Sequence, residues 1–373
     1  MNFDLTEEQQ VIADLADQLF AGEVSVEGLK ATERGEGWDP VLWARLAGAN
    51  LTGLCLPETC GGSGMGMVEL ALLAQSQARH LAPVPLVPTV VAAMALAEFG
   101  TPAAPGSTDE LLEGVVAGTT LLTTALAEPG ANDPLRPATT ATPDGDGWRL
   151  VGTKPAVPYG AEAAAVLVPA RLPDGDAIVA LVRAGTPGLD VERERTTNHQ
   201  PAATLHLDVS VSPADIVGPP GDEAAEVTRW LFEHTLAALC ALQLGTAEGA
   251  LAMTAEHVST RQQFGRPLSA FQAVTQRAAD AWITTEALRV TTLNAAWRLA
   301  EGLDARRDVA VAAFWATDGA HRVVTAAQHL HGGIGADIDY PVHRYYLWGT
   351  QHASVLGAAS PHLARLGKLL VVS

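Results

Sequence analysis

The chain has 373 residues, 48% of them hydrophobic, which is enough to bury the core of a globular protein with two or three domains. Its 42 acidic and 23 basic residues give a net charge of −19. This charge repels nucleic acid and anionic membrane surfaces, so we expect neither as a partner. A phosphate-bearing ligand therefore needs a local basic site.

The sequence predicts a cytoplasmic protein without a metal site. The longest apolar stretch, residues 89–97, is too short to span a bilayer, and the first residues lead into an acidic helix without a basic, apolar leader. Cys55, Cys60 and Cys240 show no CxxC spacing, which indicates free thiols rather than disulfides or a zinc site.

Helical periodicity dominates residues 1–118. Thr6 can cap a helix that begins at Glu7. The apolar stripe of this helix consists of Val11, Ile12, Leu15, Leu19 and Phe20. After a glycine-rich break at 61–66, helical patterning resumes, so we predict an N-terminal helical domain over 1–118.

Between residues 119 and 218 the apolar period changes to two. Short strand-like runs lie at 148–151, 164–168 and 177–182, and Asp-Gly pairs within 144–147 and 173–176 mark turns. This pattern predicts a middle β-barrel-like domain over 119–218.

The helical period returns from Asp222 in three or four long segments, which is typical of a bundle. We therefore predict a third domain over 219–373. The fold class is α+β and mostly α, with an N-terminal helical domain, a middle β-barrel-like domain and a C-terminal four-helix bundle.

Five segments together carry a family resemblance. They are LCLPE at 54–58, AEPG at 127–130, TRQQFGRPL at 260–268, FQAV at 271–274 and HLHGGIG at 329–335. In this order and at this spacing they closely resemble the acyl-CoA dehydrogenase family over nearly the whole chain. The resemblance implies desaturation of an acyl-CoA thioester by an FAD held at a subunit interface.

The resemblance also implies which residues contact FAD. Arginine offers bidentate contacts to a pyrophosphate, an aromatic ring offers a stacking face, and adjacent glycines admit phosphate close to the backbone. The candidate cofactor-binding residues are Arg261, Gln263, Phe264, Phe271, Gln272, Gln328, His329, Gly332, Gly333 and Gly335. The glutamine that usually leads the glycine loop is replaced by His329, or by Gln328 if the register shifts by one, and both stay candidates.

No residue matches the family's general base, a glutamate in one of two places. The first is a YEGT-like segment near the C-terminus, but no Asp or Glu occurs from Tyr340 to Ser373, whether residues 348–350 replace that segment or it is deleted. The second is on the first bundle helix, where Thr235 stands. Glu233 points to nearly the opposite helix face, and we predict it to be a solvated charge. We therefore assign no catalytic residue.

The half of the site that holds the flavin ring is altered as well. Ala156 and Pro158 stand where the family has a tryptophan and a threonine, Ala127 replaces a threonine, and Asn132-Asp133 replaces Gly-Ser-Asp. A chain that keeps the dinucleotide contacts but loses the ring pocket and the base makes sense in a heteromer. We expect a homologous catalytic acyl-CoA dehydrogenase subunit as partner, two copies of each, with the acyl-CoA thioester bound by the complex.

The sharpest local resemblance, over 263–274 and 331–345, is to the shorter, base-lacking subunit of paired actinobacterial dehydrogenases that act on CoA thioesters of steroid side chains. Two alternatives stay open. One is a self-sufficient enzyme on this fold whose base is His234, His331 or His343. The other is a structural partner that touches no cofactor, against which Arg261 and the glycine loop count.

Overall fold

The computed structural model describes residues 4–100, 108–130, 133, 135–218 and 222–371. Its helices are α1 (Glu7–Glu23), α2 (Val26–Arg34), α3 (Pro40–Gly48), α4 (Met67–Arg79), α5 (Leu86–Phe99), α6 (Thr108–Val116), α7 (Asp222–Thr260), α8 (Gln272–Ala300), α9 (Arg306–Phe314), α10 (Ala320–His331), α11 (Val342–Val355) and α12 (Ala359–Val371). Its strands are β1 (Leu122–Thr124), β2 (Thr140–Asp144), β3 (Gly147–Pro158), β4 (Ala165–Arg171), β5 (Ala177–Arg183), β6 (Leu189–Arg195), β7 (Pro201–Val211), β8 (Gln262–Gln263) and β9 (Arg266–Pro267). The predicted order of helices, sheet and helices is confirmed. Asn132 lies outside the described residues.

α1 begins where its capping residues place it. The Thr6 hydroxyl accepts a hydrogen bond from the Gln9 amide, and the Gln9 side chain accepts one from the Thr6 amide, which is a capping box. The buried residues of α1 are Ile12, Ala16 and Phe20. Val11 and Leu15 are 66% and 43% exposed, so the buried stripe is narrower than the predicted one.

The middle of the chain forms one mixed, mostly antiparallel sheet. Its strand order is β1-β4-β2-β3-β7-β6, and β5 pairs with β4. β1 and β2 run parallel to β4, whereas the other neighbours are antiparallel. The predicted Asp-Gly turn joins β2 to β3, because Asp144 pairs with Gly147 and Gly145 between them has a φ of 65°. All three predicted strand runs lie in this sheet.

The C-terminal helices form the predicted bundle. α7 and α8 have 39 and 29 residues, and α9 continues into α10 through a π-helical stretch, Trp315–Gly319. α10 packs against α8 and α11, while α9 packs against α8 and α12. α11 completes four long helical segments, and α12 is an additional helix.

One segment of α7 has the length and the apolar composition of a membrane-spanning helix. Residues 225–260 are long and apolar enough, and among the described residues they are the one such segment. However, 78% of the most apolar window is buried inside the protein, as is usual for a core helix.

The chain divides into two compact units. The first combines the chain up to Ala31, Met67–Pro83 and the chain from Leu236 onward, and the second combines Thr32–Gly66 with Val84–Thr235. The second unit contains the sheet, and the first contains α8 to α12. The boundaries predicted at 118/119 and 218/219 stay a prediction.

Within the first unit, α7 lies close against α4. A Cβ on Gly245 would come within 1.9 Å of the Gln75 carbonyl oxygen. The neighbouring Glu248 carboxylate accepts hydrogen bonds from Arg79 (Nη2, 2.6 Å) and from Gln75 (Nε2, 2.8 Å). It also pairs with Arg289 of α8 (Nη2, 2.6 Å). These contacts fix the middle of α7, whose C-terminal end leads into the candidate site.

Candidate cofactor-binding site

The segment predicted to contact a pyrophosphate begins where α7 ends. The Arg261 carbonyl oxygen accepts a hydrogen bond from the Leu268 amide (2.9 Å), which closes a loop around the β8–β9 pair. Phe264 and Gly265 form the two-residue turn and have φ values of 54° and 79°. Two positive φ values are typical of a type I′ hairpin turn. Arg261 and Gln263 are exposed on this hairpin.

Phe264 is presented to solvent by the hairpin. It is 91% exposed, and its left-handed backbone costs about 1–3 kcal/mol for a residue with a Cβ. The Phe271 ring meets it edge-on with centroids 6.1 Å apart, and the Arg266 guanidinium lies 4.1 Å from the Phe271 centroid. An exposed aromatic ring held by its neighbours in a strained conformation is suited to stack on a ligand.

Five predicted cofactor-binding residues therefore lie together. They are Arg261, Gln263, Phe264, Phe271 and Gln272, the last being the exposed first residue of α8. We call these five residues the platform. It combines a cation, two amides and two rings.

The second predicted segment is the loop Gly332–Ala336, the glycine loop, which follows directly on α10. Gly332 has a φ of 62° and a ψ of −139°, a region that is nearly restricted to glycine. A Cβ on Gly335 would come within 2.9 Å of the Gln328 carbonyl oxygen. Gly333 has no left-handed φ, and a Cβ there would meet nothing within 4 Å. The backbone conformation thus explains Gly332 and packing explains Gly335, whereas the open space at Gly333 suits the close approach of a ligand.

The two candidates for the leading position of the glycine loop differ in orientation. The Gln328 side-chain amide donates to the Gly335 carbonyl oxygen, and its Oε1 is buried without a partner among the described residues. His329 is exposed. Gln328 therefore closes the loop from inside, and His329 is the side chain that an external ligand can reach.

Three aromatic rings connect the platform to the glycine loop. His257 lies one helical turn before Arg261, and its ring stacks on that of His331 with centroids 4.4 Å apart and an interplanar angle of 26°. The Tyr340 ring lies 5.3 Å from the His331 ring and 6.4 Å from the His257 ring. We call His257, His331 and Tyr340 the three-ring cluster. The sequence motif included His331, but no spacing pointed to His257.

Electrostatics favours the neutral form of both imidazoles in this cluster. Burial lowers the pKa of His331, and its Nδ1 lies 2.8 Å from the Ala327 carbonyl oxygen, which places a proton on Nδ1. Burial also lowers the pKa of His257, and the charges of His331 and Arg261 lower it further. Two neutral rings stack without charge repulsion.

The first bundle helix has no carboxylate at the residue predicted to match the family's second base position. Thr235 stands there in α7, and its Oγ1 is buried without a hydrogen-bond partner among the described residues. The following residue, Leu236, is buried. Glu233, predicted to be a solvated charge, is instead partly buried and has an interaction partner.

The C-terminal segment that would contain the other base position is also without a carboxylate. Residues 348–350 lie inside α11, where the Gly349 carbonyl oxygen accepts a hydrogen bond from the buried Gln243 side chain (3.0 Å). The helix ends before Leu356, and Gly357 has a φ of 89°. Residues 348–350 are therefore part of a helix interior rather than of a loop.

The three histidines considered as displaced bases are all held by backbone carbonyls. His234 is buried, stacks on Trp230 with centroids 3.6 Å apart, and places Nδ1 2.8 Å from the Trp230 carbonyl oxygen. Burial lowers the pKa of His234 to about 4, which suits a general base near neutral pH poorly. His343 places its Nδ1 2.7 Å from the Tyr340 carbonyl oxygen. His331 belongs to the three-ring cluster.

The residues predicted to stand at the positions of the family's ring contacts are small. Ala156 is exposed in a β-bulge of β3 between Lys154 and Val157, with a φ of 51°. Pro158 ends this strand, and Ala127 is exposed. None of Ala127, Ala156 and Pro158 offers an aromatic face or a hydroxyl.

The carboxylate of Glu128, in the second unit, is paired with another side chain rather than free. It forms a buried ion pair with Lys154, whose Nζ lies 2.7 Å from Oε1 and 2.9 Å from the Pro169 carbonyl oxygen. Glu128 also accepts hydrogen bonds from the amides of Ala138 and Thr139. Burial alone would raise the pKa of Glu128, but the Lys154 charge and these hydrogen bonds lower it.

Two segments of the chain match the two domains of a known protein family. Residues 6–118 match the acyl-CoA dehydrogenase N-terminal domain, and residues 225–358 match the acyl-CoA dehydrogenase C-terminal domain. The chain belongs to the acyl-CoA dehydrogenase family, whose members are oxidoreductases that generally bind FAD.

Three relatives are similar over almost the full length. Acyl-CoA dehydrogenase FadE27 of Mycobacterium tuberculosis is 38% identical, with 99% of each chain covered. A variant of the Tcur3481-Tcur3483 steroid ACAD has 46% identity and a TM-score of 0.91, with 98% of each chain covered. The ChsE4-ChsE5 complex from Mycobacterium tuberculosis has 38% identity and a TM-score of 0.92, with 100% of each chain covered.

Proposed function

We propose that this chain is the dinucleotide-binding subunit of a heteromeric acyl-CoA dehydrogenase and that a homologous partner subunit supplies the general base. The observation that carries the proposal is the combination of an exposed platform with two base positions that lack a carboxylate. Thr235 stands at the position on the first bundle helix, and no Asp or Glu occurs from Tyr340 to Ser373, the segment that would contain the other position.

The platform and the glycine loop suit the dinucleotide half of FAD. Arg261 is an exposed cation that can form charge-assisted hydrogen bonds to a pyrophosphate, in a chain whose net charge is −19. Phe264 offers a stacking face, and the open space at Gly333 admits a phosphate or a ribose. Bound FAD supplies the hydride acceptor, while these residues of this chain bind and orient its dinucleotide.

The asymmetry between the two halves of the site favours a heteromer. In a symmetric homo-oligomer every site would inherit both the platform and the ring half with Ala156 and Pro158. A partner with an intact ring pocket and a glutamate would instead pair its own half with this platform, giving two copies of each subunit. The solved relatives with a two-component name, Tcur3481-Tcur3483 and ChsE4-ChsE5, support this assembly.

The substrate class of the proposed complex is a CoA thioester of a steroid side chain. This part of the proposal rests on the relative named a steroid ACAD, at 46% identity over 98% of the chain. In the complex, the partner's glutamate would remove the proton alpha to the thioester carbonyl, and bound FAD would supply the acceptor for the beta hydride.

Co-expression tests this proposal. The chain is purified alone and together with a homologous glutamate-bearing subunit, and flavin absorbance and thioester oxidation are measured on both. We expect little FAD and no oxidation for the chain alone, and about one FAD per pair of unlike chains with activity for the complex. A lone chain that retains stoichiometric FAD and oxidises acyl-CoA would refute the proposal.

A further inference from the structure

Two residues of the three-ring cluster, His331 and Tyr340, flank the glycine loop in sequence. His331 is the residue before Gly332, and Tyr340 follows the loop after a short turn in which its amide donates to the Asp337 carbonyl oxygen (3.1 Å). Both rings meet His257, at 4.4 Å and 6.4 Å between centroids. The segment between them is therefore closed against α7 by aromatic contacts.

His257 is also part of the base of the platform. The Arg261 amide donates to the His257 carbonyl oxygen (2.9 Å), so the last turn of α7 sets the direction in which Arg261 leaves the helix. His257 thus makes a backbone contact to one candidate segment and a ring contact to the other. Its side chain is partly buried.

We propose that His257 is a positioning residue that sets the spacing between Arg261 and the glycine loop through its stack on His331, an inference that rests on the proposed function. A dinucleotide that contacts both segments at once needs this spacing, because contacts fixed before binding avoid the entropy of ordering two loops. The role belongs to the aromatic faces, since the His331 Nε2 has no hydrogen-bond partner among the described residues. Phenylalanine can therefore replace His257, whereas alanine cannot.

A double-mutant cycle on the assembled complex tests the inference. The FAD dissociation rate is measured by the rise of flavin fluorescence after dilution, for His257→Ala, His257→Phe, Arg261→Ala and the double variant with His257→Ala. His321→Ala is the matched control, because His321 on α10 also has a ring contact to a tyrosine, Tyr346 at 6.1 Å. Hydrogen exchange of residues 332–336 in the apo complex gives a readout that does not depend on FAD, and thermal unfolding reports any loss of folding.

We expect His257→Ala to accelerate FAD dissociation about threefold to tenfold, the range typical of an aromatic pair. His257→Phe should restore the wild-type rate, and His321→Ala should not change it. In the Arg261→Ala background the effect of His257→Ala should fall below about twofold, because the residue it positions is gone. Among the single variants, only His257→Ala should increase hydrogen exchange in the glycine loop.

Failure of the positioning role and failure of the proposed function give different results. If Arg261→Ala accelerates dissociation but His257→Ala does not, or if the two effects multiply, the positioning role is wrong and the proposed function stands. If Arg261→Ala leaves FAD dissociation unchanged, both the proposed function of the platform and the positioning role are wrong.

Discussion

At the scale of single residues, Arg261 is the group whose removal should affect cofactor retention most directly. A charge-assisted hydrogen bond contributes about 1.5–3 kcal/mol, so Arg261→Ala should weaken FAD binding to the assembled complex by roughly tenfold or more. The control is Arg322→Ala on α10, an exposed arginine paired with Asp318 at 2.9 Å. Equal flavin retention in both variants, measured by equilibrium dialysis, would contradict the assignment.

The Lys154–Glu128 pair allows a residue-scale test of the sheet. Both side chains are almost fully buried, at 1% and 3% exposure. Lys154→Met leaves the Glu128 carboxylate buried without its counter-charge, which typically costs about 3–5 kcal/mol. We expect a clearly lower thermal unfolding midpoint of the complex and faster amide exchange at residues 138–139, where Glu128 accepts its hydrogen bonds.

The control for the buried pair is an exposed one in the same sheet. Arg149 and Asp208 lie 2.6 Å apart with both side chains more than half exposed, so Arg149→Met should leave the midpoint almost unchanged. Replacing both buried partners, Lys154→Met with Glu128→Leu, should recover much of the lost stability. If Lys154→Met changes the unfolding midpoint as little as Arg149→Met does, the Lys154–Glu128 pair does not stabilise the segment around residues 138–139.

At the scale of elements, helix packing decides the sign of a glycine substitution. Gly245→Ala raises the helix propensity of α7 but puts a Cβ 1.9 Å from the Gln75 backbone oxygen, so the two helices must separate. Overpacking of this kind costs about 1–3 kcal/mol. Gly367→Ala on α12 meets nothing within 4 Å and should stabilise by up to about 1 kcal/mol. Thermal unfolding midpoints that move in the same direction for both variants would refute this account of the α4–α7 contact.

Elements with local signals could be predicted from the sequence. The Thr6 cap and the Asp-Gly turn before Gly147 each depend on neighbours within a few residues, and both lie where predicted. The position of residues 348–350 inside α11 has no such local signal, because the Gly349 carbonyl oxygen accepts a hydrogen bond from Gln243, which is distant in sequence. This contact exists only once the bundle has formed.

The same distinction applies to the candidate site. The hairpin around Phe264 and the glycine loop are short, contiguous motifs, so their residues could be named from sequence and remain predictions as cofactor contacts. The stack of His257 on His331 joins residues 74 positions apart and has no spacing that reveals it. Its energetic basis is burial and ring geometry, which exist only after the bundle has formed.

At the scale of the whole molecule, the proposed function depends on a division between the two units. The platform and the glycine loop lie in the unit that contains α8 to α12, whereas Ala156 and the Lys154–Glu128 pair lie in the unit that contains the sheet. The first unit keeps its candidate cofactor contacts, and the second has small residues at the ring positions. A subunit of this kind is useful where another chain supplies the ring pocket and the base.

Stopped-flow flavin reduction tests this central claim most directly. The chain alone, the complex, and the complex with the partner's glutamate replaced by glutamine are mixed with steroid-side-chain and simple acyl-CoA thioesters, and flavin bleaching is followed. A positioned general base is worth about 10²–10⁴ in rate, so we predict fast bleaching only in the unaltered complex. Fast bleaching by this chain alone, or by the complex without the partner's glutamate, would contradict the account and place a base in this chain.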